Sequence, residues 1–333
     1  MIGARMEIKL KSSLSQKKTL LILSLSCLLV GVISVFVGDI FVPVICALLA
    51  LIFVFDNDKK SFALAISVLL VVINAFAIGF GLTINLFGLQ SVIMAIVFYC
   101  AFRKSRTKTE TVLILTIICA VFSVLNLALI PVNELGSFNL SGIVAYYEAL
   151  ITELRSLFIE IAYATYSQAL QQSGIEITES IIATIFDTQL TLMISYIVII
   201  ALVCVGVFTK LFDALSAKLA EDATPVASWR FMTSSIFAYF YVAMMILLIF
   251  TSASGGVIGI AVSNLYNIFL VIYAYVGFNF VLALISTRIK PLTAVIILVV
   301  VMALTMSLAL QFLSVFGVMF TIRKNRELTP RED

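Results

Sequence analysis

Histidine is absent from the 333 residues. That removes His-ligated metal sites, Ser-His-Asp and Cys-His nucleophiles, and imidazole pH switches. Charge is scarce too. Asp, Glu, Lys and Arg make up 12% of the chain, against about 25% in soluble domains. Proline (5) and glycine (15) are few, which excludes Pro-rich, collagen-like and long flexible segments. The five cysteines, Cys27, Cys46, Cys100, Cys119 and Cys204, stand singly in separate apolar runs with no C-x-x-C pair. Neither a zinc site nor a redox couple is expected from them; each thiol reads as a small hydrophobe. The chain also lacks a Walker motif, G-x-S-x-G and H-E-x-x-H, the usual marks of phosphate, acyl and zinc chemistry. A soluble enzyme, a nucleic-acid reader and a disulfide scaffold are thereby excluded, and no cofactor is expected.

What the chain does have is apolar surface, at 62% of residues. At about 20 residues per crossing this suffices for eight or nine spans. The expected fold class is all-α, a polytopic helical membrane protein with an external amphipathic helical insert. Apolar runs occupy 19–38, 40–55, 61–82, 84–102 and 112–132, then 191–212, 229–252, 257–287 and 291–322. The organisation that follows is a basic cytoplasmic N-terminus (1–18), a membrane bundle of five spans (19–132), an acidic insert (133–190), a C-terminal membrane bundle (191–322) and a polar tail (323–333).

The first run follows Arg5, Lys9, Lys11, Lys17 and Lys18 without a small-residue cleavage site, so it reads as an uncleaved span. The run 40–55 contains Pro43 and is either a short tilted span or the second arm of a hairpin turning at Gly38 and Asp39. Run 291–322 is long for one span and short for two, which leaves a re-entrant or folded-back element open.

Basic residues set the orientation. With the N-terminus inside, the inner segments receive those five bases, then Lys59 and Lys60, then Arg103, Lys104, Arg106 and Lys108. Lys210, Lys218, Arg230, Arg288 and Lys290 follow on the same side. The insert holds seven acids and one base, Arg155. A bacterial plasma-membrane protein with a cytoplasmic N-terminus and an outer insert is expected. If nine runs each cross once, Arg323, Lys324, Arg326 and Arg331 violate the pattern.

Within the insert, a breaker-rich PVNELGSFNLSG leads into helical spacing over 143–172, a turn at Ser173-Gly174, and a second amphipathic stretch over 175–190. Interfacial helices favour Lys and Arg, so an acidic insert is expected to pack on the protein's own spans. After the sixth span, TKLFDALSAKLAEDATP reads as a helical cytoplasmic extension ended by Pro225, with Trp229 and Arg230 anchoring the next span.

Few polar residues lie inside the runs. Asn264, Asn267, Tyr275 and Asn279 share about 120° of arc on one helix. All four are expected to face the interior, either lining a cavity for a small uncharged or zwitterionic ligand or bonding neighbouring helices. The opposite face, with Leu265, Tyr266, Leu270 and Tyr273, is then left for lipid or the periphery. Asn74, Asn85, Gln90 and Asn126 fit either use. Cys27, Gly31, Ser34 and Gly38 form a small-residue stripe on the first span, for helix packing or contact with a partner membrane protein.

Nearly the whole chain resembles the YybS-like family of bacterial multi-pass membrane proteins. The residues that carry the likeness are ATPVASWRF, NLYNIFLVIYAYVGF with Asn264 and Gly277, and the closing Arg323-Lys324 pair. Val276 stands where the family often has glutamine. First spans of that family are distantly similar to substrate-binding components of energy-coupling-factor vitamin transporters. The resemblance therefore implies a small-molecule-binding or transport-associated role without catalysis. A structural or assembly scaffold in the cell envelope or division machinery is the alternative. Expected partners are membrane lipid and another membrane protein or a cytoplasmic subunit.

Overall fold

The computed structural model describes residues 10–11, 14–56, 60–79, 85–103, 108–171, 178–220, 234–251 and 256–328. Among them the chain is helical, and Leu10 and Ala220 form an isolated bridge. The expectations placed on Ser173-Gly174, Pro225, Trp229 and Arg230 lie outside the described residues.

In chain order the helices are α1 (Gln16–Val37), α2 (Val42–Phe55), α3 (Ser61–Gly79), α4 (Phe87–Arg103), α5 (Lys108–Leu135) and α6 (Leu140–Gln171). They continue as α7 (Glu179–Thr191), α8 (Met193–Leu219), α9 (Ser235–Thr251), α10 (Val257–Ile285) and α11 (Pro291–Leu328). α1, α5, α8 and α10 are long and apolar enough to cross a membrane. The helices α2, α4 and α9, and α3 over Ser61–Phe76, are apolar but shorter.

Two compact units emerge. The first gathers the chain to Gln189 with α8 from Ile200, and the second gathers Leu190–Ile199 with α9, α10 and α11. Most of α8 therefore belongs with the N-terminal helices, because Phe208 and Phe212 are fully buried against Phe98 at ring-centroid distances of 4.9 and 4.7 Å.

The first unit is built around α2, almost wholly buried among α1, α3 and α4. Gly38, at φ 96°, ends α1, and a 3-10 turn at Asp39–Phe41 leads into α2. Pro43 sits in the first helical turn, where a missing N–H is harmless. Gln16 Nε2 donates to the Phe55 carbonyl at 2.9 Å, so the far ends of α1 and α2 meet and the pair is a hairpin. The small residues form its seam: Cys27, Gly31 and Ser34 are buried, and a Cβ on Gly31 would come within 2.6 Å of Leu70 in α3. Gly38 has a different role, as the helix end.

The structure corrects the reading of the insert at both its start and its packing. α5 runs through Pro131 to Leu135, so the breaker-rich loop shrinks to a turn at Gly136, where φ is 65°. Asn139 Oδ1 then accepts from the Ser141 N–H at 3.2 Å and starts α6. Only the first turns of α6 rest on α5, through buried Ile143 and the Tyr147 hydroxyl donating to the Leu127 carbonyl. Further along, Leu154, Leu157 and Ile161 are exposed.

In the second unit α10 and α11 touch backbone to backbone. A Cβ on Gly277 would fall 1.8 Å from the Leu313 carbonyl oxygen, and one on Gly317 2.0 Å from that of Tyr273. This contact fixes the register of the two helices. A straight helix would carry Gly317 about 39 Å from Pro291, while Gly277 is only about 12 Å from the end of α10. The Ser286–Lys290 connection is a tight turn, with the Ile289 N–H on the Ile285 carbonyl. The axes of α10 and α11 therefore do not run side by side all the way from the turn to this contact, and α11 is helical from Pro291 to Leu328.

Candidate functional site

Buried helix ends leave backbone groups that water does not readily satisfy. Much of the polar inventory meets that need. Asn264 is the fullest case. Its Oδ1 accepts from the Ser195 N–H at 2.8 Å, and its Nδ2 donates to the Thr191 carbonyl at 2.8 Å and the Ile260 carbonyl at 2.9 Å. Thr191 closes α7 and Ser195 lies in the first turn of α8. One buried amide thus serves both sides of a helix break.

The same logic recurs in the first unit. At the start of α4, the Leu86 N–H donates to Asn126 Oδ1 at 2.8 Å and the Phe87 N–H to Asn85 Oδ1 at 3.4 Å. At the α2–α3 connection, buried Asp56 accepts the Ala63 N–H at 3.0 Å, as a cap on α3. Lys60 donates to the Phe53 carbonyl at 2.8 Å and to that of Asp56, a cation at the C-terminus of α2. The Lys60 ammonium and the Arg103 guanidinium also lie over the Tyr99 ring, 5.2 and 5.7 Å from its centroid. Gln90 is buried with Nε2 3.3 Å from Cys119 Sγ. Asn74 donates to the Leu70 carbonyl at 3.1 Å, while its own Oδ1 is buried without a partner.

The four-residue arc on α10 is not buried along its whole length. Asn264 is buried and Asn267 half-buried, while Tyr275 and Asn279 are exposed, with Asn279 Nδ2 donating to the Tyr275 carbonyl at 2.8 Å. The expectation that all four face the interior is corrected, as is its complement. Tyr273 is fully buried, and Tyr266 and Leu270 pack against its cluster; Leu265 alone of that face is exposed. The physical reason is that α10 is covered on different sides at different levels. The α7–α8 break covers Asn264, and about three and a half turns later the bare backbone of Gly277 draws α11 against the opposite side.

Sequence reasoning missed the aromatic stack this creates. Tyr241 of α9 lies between Tyr266 and Tyr273, with centroids at 5.7 and 5.2 Å and near-parallel rings. Its hydroxyl donates to Ser314 Oγ at 3.0 Å, and Ser314 donates to the Gln311 carbonyl at 2.7 Å. Tyrosines at i and i+7 on α10 are the available signal, masked by the amides nearby. The stack is a packed core whose drawn-in hydroxyl is tied to a neighbouring helix.

Outside the long apolar helices, α6 and α7 form an antiparallel pair. Arg155 grips Asp187 with two bonds of 3.0 Å, and Phe158 meets Phe186 at 5.5 Å. Ala162 and Ile182 are buried. At its base the Tyr146 hydroxyl donates to Glu134 at 3.2 Å. Lost hydration, and then the nearby carboxylate, push that phenol above its usual range. No group of three potential metal ligands occurs among the described residues.

These features define the class: a helical membrane protein, with long apolar helices whose polar side chains close helix ends. Compared with known protein families, curated proteins and solved structures, the chain matches none.

Proposed function

We propose that this chain is a multi-pass protein of the bacterial plasma membrane, with eight or nine spans and a cytoplasmic N-terminus, that acts by assembly and not by catalysis. It serves as a scaffold or docking component, and its likeness to the YybS-like family fits a non-enzymatic role. One observation carries the reading. The amide best placed to line a cavity, Asn264, is fully engaged with backbone groups, while the α6–α7 pair presents uncovered apolar residues. The shorter apolar helices α2, α3, α4 and α9 make up the remaining spans in this reading, with α11.

A second reading, a small-molecule-binding or transport-associated role, draws support from Tyr275 and Asn279. Both are exposed on one side of a long apolar helix, where an amide facing hydrocarbon is costly. A wet cavity would relieve that cost. Thermal unfolding of the full chain in detergent against a metabolite library separates the two. The assembly reading expects no metabolite to raise the midpoint and a stoichiometric protein partner in native-membrane extracts. A metabolite whose stabilisation disappears in Asn279→Ala would overturn it.

A further inference from the structure

The α6–α7 pair is amphipathic as a unit. Across the pair Arg155 of α6 bonds Asp187 of α7 and Phe158 meets Phe186; one turn further along the pair Ala162 and Ile182 are buried on the same line. Leu154, Leu157 and Ile161 are rotated to one flank of that contact line, in the i, i+3, i+7 pattern of a helical stripe. Ile181 and Ile185 are rotated in the same sense on α7. Because the helices run antiparallel, equal senses of rotation bring both sets to the same side of the pair. The Arg155–Asp187 ion pair falls on the other side. All five apolar residues are exposed, between 46% and 57%, and leave on the order of 500 Å² uncovered, a size at which patches mark interaction sites. Glu153 and Glu160, both exposed, border the stripe beside Leu157.

We propose that this face docks a basic amphipathic helix of another protein, with apolar residues on the Leu154–Leu157–Ile161–Ile185 strip and Lys or Arg against Glu153 and Glu160. The six acidic and one basic side chains on the two helices and at their base, Glu134, Glu148, Glu153, Glu160, Glu179 and Asp187 against Arg155, keep the pair out of the hydrocarbon, so lipid tails do not cover the face. A lipid surface is disfavoured because interfacial helices carry Lys and Arg along their polar edge. A second copy would set Glu153 and Glu160 against their equivalents across less than the about 800 Å² per partner of a standard interface. A basic helix matches both the apolar strip and its border.

The inference deepens the assembly reading and rests on it for the face being occupied in the cell. Its test uses the full chain in phosphatidylcholine nanodiscs. The probes are a synthetic helical peptide with leucines at i, i+3, i+4 and i+7 flanked by lysines, and its glutamate-flanked counterpart. The lysine peptide is expected to bind at least tenfold more tightly than the glutamate peptide. Leu157→Ser with Ile161→Ser should weaken it at least tenfold at an unchanged unfolding midpoint. Glu153→Lys with Glu160→Lys should reverse the preference, which keeps the test decisive if the serine variant folds poorly. Equal binding of both peptides, or binding unmoved by the variants, overturns the proposal. So does self-association lost in Leu157→Ser, which assigns the face to a second copy. A fluorophore at Ile161 that shifts to the blue in peptide-free nanodiscs overturns it in favour of lipid. If peptide binding fails while a protein partner still co-purifies, this face is wrong and the assembly reading stands.

Discussion

Asn264 joins three backbone groups that belong to three helices. In a soluble protein, water would replace a lost cap at small cost. Asn264 and Ser195 are buried, so removal costs the Ser195 N–H its bond to Oδ1 and the Thr191 carbonyl its bond to Nδ2 where water does not readily replace them. Polar contacts between membrane helices average about 0.6 kcal/mol, but orphaned buried groups cost about 1–3 kcal/mol. Asn264→Leu is therefore expected to lower the unfolding free energy by about 1–3 kcal/mol. Asn279→Leu, whose bond to the Tyr275 carbonyl stays within its own helix, should change it by less than about 0.5 kcal/mol. Reversible unfolding in mixed micelles measures both. Equal losses at the two positions would show that Asn264 has no special place.

At the scale of elements, glycine decides which helices can touch. Gly277 and Gly317 stand where any Cβ would overlap partner backbone, at 1.8 and 2.0 Å. Backbone cannot swing aside as a side chain can, so Gly277→Ala or Gly317→Ala must force α10 and α11 apart and unpack Tyr241 and Tyr273. Each is expected to cost at least about 2 kcal/mol, the upper range for overpacking. Gly206 in α8 is the control. Nothing lies within 4 Å of its added Cβ, so Gly206→Ala should be neutral or stabilise by up to about 1 kcal/mol. Thermal midpoints of the three variants give the answer, and a tolerated Gly317→Ala would sink the close-contact account. The hairpin of α1 and α2 could be anticipated from Gly38, Asp39 and Pro43, since turn chemistry is local. The close approach of α10 and α11 could not, because it joins residues 40 positions apart.

For the whole molecule, sidedness is the property that charge counting addresses best. Single cysteines at Ser137 and at Ser105, in a background without the five native thiols, should differ in intact cells. A membrane-impermeant maleimide is expected to label position 137 and spare 105; the reverse pattern would invert the topology. Helical class, the position of the apolar runs and the amphipathic insert were determined by the sequence alone, because hydropathy and 3.6-residue periodicity are local properties of the chain. Which side of each helix is inside was another matter. On α10 the amide arc carries the obvious polar signal, yet Tyr273 and Gly277 on the other side are the more deeply packed. In α6 the apolar stripe is continuous along the sequence, but α5 covers only its first turns and leaves Leu154, Leu157 and Ile161 exposed. A side chain's periodic position says which neighbours in its own helix share its face. Only the tertiary structure decides what meets that face, because the covering atoms come from distant segments whose placement depends on close approaches such as Gly277 to Gly317 and the break held by Asn264.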